Sequence, residues 1–308
     1  MNYGGYIFLK SSLKISKIFG IYENLVVETF SSIVLVLPNV MLIIVAINQN
    51  CTSLAIGNCF GTILVNICLI LGLLLLVVQL KTIRKANLNR LLVMFFLLLI
   101  LSVLALLNCL NVYVGIIFLL GFFLYFIKEF TKEKNQLIEK GKIKEVEILQ
   151  NNNVSKGDKL IFFVEIIFEL LILFCGSLLI VGSSKSLIAS YNINGLVLGL
   201  TIVSLGSSLP QLWSILLSIK KKKINLALKN QINSNIFSLF LLFSILMINL
   251  KTGVILSRLD LLILVPIMLL VANILILPML IGKRTYKWQG IILLILYAIY
   301  DIFVIFVK

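Results

Sequence analysis

Residues 199–240 read GLTIVSLGSSLPQLWSILLSIKKKKINLALKNQINSNIFSLF. Two apolar runs flank four consecutive lysines, Lys220 to Lys223. Each run is long enough to cross about 30 Å of hydrocarbon as a helix, so the lysines mark a turn at a membrane surface. Neither run is uniformly apolar. The first carries Ser207-Ser208-Leu209-Pro210-Gln211 in mid-span, and the second carries Asn230, Asn233-Ser234-Asn235 and Ser238. Polar groups at that depth are tolerated only against other protein or a water-filled cavity.

The same hairpin occurs earlier in the chain at one constant offset. Moved back by 172 residues and without a gap, Pro210 meets Pro38, Asn230 meets Asn58 and Ser234 meets Thr62. Between residues 4 and 74, 15 of 71 positions are identical, among them Gly4/Gly176, Ser11/Ser183, Ser12/Ser184, Thr29/Thr201 and Ser32/Ser204. Leucine and isoleucine matches carry little weight in so apolar a chain. The prolines, asparagines and serines carry the repeat.

The rest of the 308 residues fits this unit. Hydrophobic residues make up 61% and charged residues only 13%, too few charges to cover a soluble globule of this size. Apolar blocks run at 21–47, 54–80, 91–107, 112–127, 160–181, 196–219, 224–250, 259–281 and 288–307, nine full spans. Residues 1–9 are apolar but too short to cross, and Gly4 aligns with Gly176, inside the block 160–181. The expectation is an all-α polytopic membrane protein of 5+5 inverted-repeat helices with the first helix truncated, and about 15 further apolar residues encoded upstream. Residues 1–127 form the first repeat, 128–159 a solvated linker mixing lysines with glutamates, and 160–308 the second repeat.

Charge sets the orientation. The formal net charge is +15, but the Lys and Arg residues lie between apolar blocks rather than on one aromatic-rich face, which argues against nucleic acid. With the truncated segment counted as span 1, the loops after the odd-numbered spans hold 22 of the 27 Lys and Arg, and the loops after spans 2 and 4 hold none. Positive-inside logic places the odd loops, including the long linker, in the cytoplasm of a multi-pass cell (inner or plasma) membrane protein. The two copies then run antiparallel, as in many secondary transporters. The chain has no histidine, and its five cysteines show no metal spacing, so no cofactor, zinc site or nucleophile–base pair is expected and the chain is not read as an enzyme. The partners expected are inorganic cations and the lipid bilayer.

Ion sites in inverted-repeat transporters lie near the midplane, where interrupted helices free backbone carbonyls. Proline does this by removing one N–H donor. The candidates fall at matched places: Asn39 after Pro38, with Thr62 and Asn66 on the next span; Ser207, Ser208 and Gln211 around Pro210, with Ser234 and Ser238 on the next. Thr62/Asn66 and Ser234/Ser238 are i,i+4 pairs, each on one helix face. Such residues also serve ordinary helix–helix packing. The matched set, on two spans per half, points to a pathway for Na+ or another cation.

At these residues the chain resembles the calcium/cation antiporters, the sodium/calcium exchanger superfamily. That family's repeat reads roughly G-T-S-x-P-E followed by G-N-x-x-G-S-N-I-x-N. Residues 199–240 look like its second copy; residues 37–66 match the first through Pro38, Gly57-Asn58, Gly61-Thr62 and Asn66. The resemblance implies a ten-helix fold and alternating access, with spans 1 and 6 moving against the rest. It also implies a glutamate after each proline at the calcium site, and here those positions are Asn39 and Gln211. Calcium takes six to eight oxygens, usually including carboxylates. Glu28 lies too far along its helix, Glu165 and Glu169 lie near a cytoplasmic end, and Asp301 has no named partner. The reading is therefore a degenerate member, an antiporter selecting a monovalent ion. The rival is a non-transporting paralogue acting as a membrane scaffold or partner subunit.

Overall fold

Pro38 lacks the N–H that a helix interior needs but suits a first turn, and a helix begins there. The computed structural model describes residues 32–78, 83, 85–139, 156–221, 224–250 and 259–306. Within them α1 is Leu37–Asn48, preceded by a helical turn at 32–34 and a break at Leu35-Val36. Then follow α2 (Thr52–Val77), α3 (Lys85–Leu106), α4 (Val112–Glu139), α5 (Lys156–Tyr191), α6 (Gly195–Lys220) and α7 (Ile224–Asn249). Last come α8 (Leu259–Ile274), the short α9 (Leu277–Gly282) and α10 (Lys287–Phe306). Eight of the described helical segments are long and apolar enough to cross a membrane, α8 and α9 counting as one, and Ser32–Asn48 is a shorter apolar helix. The truncated first span, Glu28 and the repeat matches before residue 32 lie outside the described residues.

Asparagines punctuate the chain. Asn50, Asn108 and Asn192 adopt φ of 59°, 53° and 51° just after α1, α3 and α5, the left-handed conformation that asparagine tolerates at helix ends. The Asn194 side chain accepts a 2.9 Å bond from the Leu196 N–H and caps the start of α6. Two helices run past their apolar blocks into the segment read as a linker: α4 continues to Glu139 and α5 starts at Lys156.

Burial separates the layers. The spans of α7 and α2 are 83% and 78% buried, while that of α5 is only 17% buried. So α2 and α7 form the centre, with α1 and α6 packed on both. Leu124 and Leu179 are about seven-tenths exposed, as side chains facing lipid rather than water would be. At the periphery, Arg90 of α3 forms a buried ion pair with Glu129 of α4, with Nε 2.8 Å from Oε2.

At the crossing of α2 and α6 the two backbones come into direct contact. A Cβ on Gly199 would meet the Leu54 carbonyl oxygen at 2.5 Å and the Asn58 nitrogen at 2.9 Å. A Cβ on Gly61 would lie 2.5 Å from the Leu200 oxygen. Backbone approaches backbone there, which only glycine permits. Beside this crossing α6 widens into a π turn over Gly199–Val203, and α2 does so over Val65–Leu71.

Candidate functional site

All eight candidate residues are buried: Asn39 on α1, Thr62 and Asn66 on α2, Ser207, Ser208 and Gln211 on α6, and Ser234 and Ser238 on α7. They converge because these four helices pack on one another. The Thr62 hydroxyl donates to Asn39 Oδ1 at 3.0 Å. Shifted by 172 residues, the same two positions are Ser234 and Gln211, and Gln211 Nε2 donates to Ser234 Oγ at 2.6 Å. Each copy thus makes the same contact between the residue after its proline and the hydroxyl of the next helix. The repeat read from sequence is a repeat of contacts.

The two copies differ one turn away. Ser207 Oγ donates to Asn58 Oδ1 at 3.2 Å, and also to the Ser204 carbonyl at 3.1 Å. The counterpart of Asn58 is Asn230, and where the second copy has Ser207 the first has Leu35. Leucine offers no proton, and Asn230 Oδ1 is buried without a partner. The side-chain oxygens of Asn66 and Ser238, counterparts of each other, are also buried without a partner, as are Ser208 Oγ and Asn235 Oδ1. Buried polar atoms are nearly always satisfied by protein or water, so these oxygens among the central helices have room to accept a further partner.

Gln231 escaped the sequence reading. Its Oε1 accepts from Gln211 Nε2 at 2.9 Å, and its Nε2 donates to the Asn66 backbone carbonyl at 2.6 Å, so it ties α6, α7 and α2 together. Its counterpart in the first copy is Cys59; a search for matched polar positions passes over it. The only signal available was an amide amid the apolar residues of a span.

The helical irregularity is asymmetric too. The first copy is interrupted just before Pro38, whereas α6 continues through Pro210 and its departure from α geometry lies upstream, at the π turn. Pro210 gives no N–H to the Gly206 carbonyl; both residues lie on the exposed side of α6, opposite Ser207, Ser208 and Gln211. The carbonyl freed by this proline is therefore on the other face from the polar centre.

Among the described residues, no acidic or basic side chain belongs to the hydrogen-bonded centre. Lys229 of α7 is buried five residues before Ser234, about 7.5 Å along the helix. Asp301 lies on α10, and no group of three or more acids or thiols suited to a metal ion occurs among the described residues. The centre itself is made of hydroxyls, amides and carbonyls.

Comparisons with known proteins agree with this architecture. Two solved structures of the sodium-calcium exchanger NCX_Mj, one soaked with Na+ and Sr2+ and the other with Na+ and Ca2+, superpose with TM-scores of 0.65 and 0.64 at 21% identity. Each superposition covers 96% of this chain and 92% of that one. An uncharacterized membrane protein of Methanocaldococcus jannaschii, MJ0091, is 26% identical over 234 residues, 76% of this chain and 73% of its own length. The profile of the sodium/calcium exchanger protein family matches residues 1–128 and 161–306. With nearly the whole chain matched, this multi-pass membrane protein belongs to the sodium/calcium exchanger family of cation transporters, and is not an enzyme.

Proposed function

We propose that the chain is a cation antiporter whose pathway runs between α1, α2, α6 and α7 and is selective for a monovalent ion such as Na+. The observation that carries this reading is the neutral, two-fold related centre, Asn39–Thr62 and Gln211–Ser234, at the positions where the family resemblance calls for glutamates. Hydroxyl and amide oxygens suit an ion of single charge. A divalent ion also needs carboxylates to offset its desolvation.

The unpartnered oxygens of Asn66, Ser208 and Ser238 supply the remaining ligands, together with carbonyl oxygens. Access alternates as α5 and the first span move against the central helices. The slight burial of α5, which packs chiefly on α1, supports such a mobile element. The two repeats are 1–127 and 160–308, joined on the cytoplasmic side, in keeping with the cluster of positive charge there.

Purified protein in proteoliposomes tests the reading. Sodium should exchange down an imposed gradient, and calcium should not accumulate above background at micromolar concentration. Movement of neither ion by folded protein would favour the scaffold or partner-subunit reading. Robust calcium exchange would overturn monovalent selectivity.

A further inference from the structure

We propose that Asp301 and Tyr297 of α10 form a second site, away from the polar centre, that holds one small monovalent cation, either a proton or a sodium ion. Asp301 lies within the apolar span Lys287–Val304. Its Oδ1 is buried without a hydrogen-bond partner, and no ion pair involves it among the described residues. Tyr297, one turn earlier on the same face, is only 7% exposed, and its hydroxyl lies against the Asp301 carboxyl. These two oxygens face one another across one helical turn, and neither has a further hydrogen-bond partner among the described residues.

Among the described residues the neighbours bring no positive charge; the titratable groups beside this pair are Cys68, in the π turn of α2, and Tyr300, on α10 itself. From α6 the contact is the Leu200 backbone carbonyl, which accepts from the Tyr300 hydroxyl at 3.4 Å. Residues 265–274 of α8, also packed on α10, include no titratable side chain. Asp301 is half-buried, and an ionised carboxylate within an apolar span is disfavoured even beside a single hydroxyl, so a proton or a sodium ion held by this pair would offset its charge.

Depth places this site beside the pathway. The Leu200 carbonyl that receives Tyr300 also accepts from Ser204 Oγ at 2.7 Å and abuts Gly61, the residue before Thr62. The Ser204 carbonyl in turn accepts from Ser207, which bonds Asn58. The Tyr300 hydroxyl beside the site thus stands at the level of Gly61 and Thr62, behind the α2–α6 crossing. The site's role in exchange, supplying the negative charge that the neutral centre lacks, rests on the antiporter reading. Its occupancy does not, and can be measured without transport.

The test uses purified full-length protein and the variants Asp301→Asn and Tyr297→Phe, each checked for a native thermal transition. Radiolabelled sodium binding and the infrared carboxyl bands are measured near neutral pH, with and without sodium. A sodium site shows sodium binding that falls at least tenfold in Asp301→Asn and several-fold in Tyr297→Phe. A proton site shows a protonated-carboxyl band absent from Asp301→Asn, shifted in Tyr297→Phe and unmoved by sodium. An Asp301 that stays ionised with no sodium dependence overturns the proposal, as do signals unchanged in both variants. Should Asp301→Asn not fold, Tyr297→Phe decides: an unaltered band together with unaltered sodium binding overturns it. If sodium transport fails while Asp301-dependent binding persists, the antiporter reading falls and this one stands.

Discussion

Replacing Asn39 and Gln211 together by glutamate should create calcium binding where the unmodified protein has none. The two positions are not equivalent to begin with. Asn39 Oδ1 accepts from Thr62, and a carboxylate can go on accepting. Gln211 donates, to Gln231 Oε1 at 2.9 Å and to Ser234 Oγ at 2.6 Å. Gln211→Glu alone turns the Gln231 contact into oxygen facing oxygen, while the Ser234 hydroxyl can rotate to donate, leaving a cost of about 1–3 kcal/mol for the buried Gln231 oxygen left unpaired. A divalent cation between the helices reverses that sign. At about 4 Å and an effective dielectric of about 20, each carboxylate gains about 8 kcal/mol with a doubly charged ion. If desolvation and the broken amide bonds consume about three-quarters of this, about 2 kcal/mol survives per carboxylate. That is about 30-fold tighter binding for each, and about 1,000-fold for the pair. Radiolabelled calcium binding to purified protein, followed by uptake in proteoliposomes, measures it. Gln211→Glu alone should lower the melting temperature in calcium-free buffer and recover with calcium. Micromolar calcium exchange by the unmodified protein would refute the reasoning, as would a folded double variant that binds calcium no better than its parent.

Three further outcomes follow from particular contacts. Gly199→Ala puts a Cβ 2.5 Å from the Leu54 carbonyl and 2.9 Å from the Asn58 nitrogen, so α2 and α6 must part; thermal unfolding should show about 1–3 kcal/mol lost, with ion exchange reduced alongside. Leu35→Ser supplies a hydroxyl where the repeat places one beside Asn230, and should gain about 1 kcal/mol in the same assay; a loss of stability would mean that the copies do not superpose there. Asn152→Cys, in a background carrying Cys109→Ser and Cys175→Ser because those two thiols are exposed, should react with an impermeant thiol reagent only after permeabilisation. Labelling in intact cells would reverse the orientation assigned from charge.

What was legible in the sequence, and what was not, divides along physical lines. Apolar blocks report the bilayer, so the spans could be read; they say nothing of where a helix stops, and α4 runs on through the charged residues to Glu139. A constant offset of 172 led to Asn39–Thr62 and Gln211–Ser234 because packing acts on both copies alike. It could not lead to Gln231, whose counterpart is Cys59, nor to the π turns, which lie where α2, α6 and α10 pack together. The unmatched positions also bear on mechanism. In an inverted-repeat transporter whose copies were identical, exchanging their conformations would interconvert inward- and outward-facing states of equal energy. Here Ser207 of the second copy bonds Asn58 of the first, whereas Leu35, its counterpart in the first copy, offers no proton and Asn230 Oδ1 of the second is unpaired. An exchange of conformations therefore does not exchange equivalent hydrogen bonds. Under the proposed alternating access, this one mismatch contributes an energy difference between the two access states of the order of one buried hydrogen bond, about 1 kcal/mol, before any ion binds.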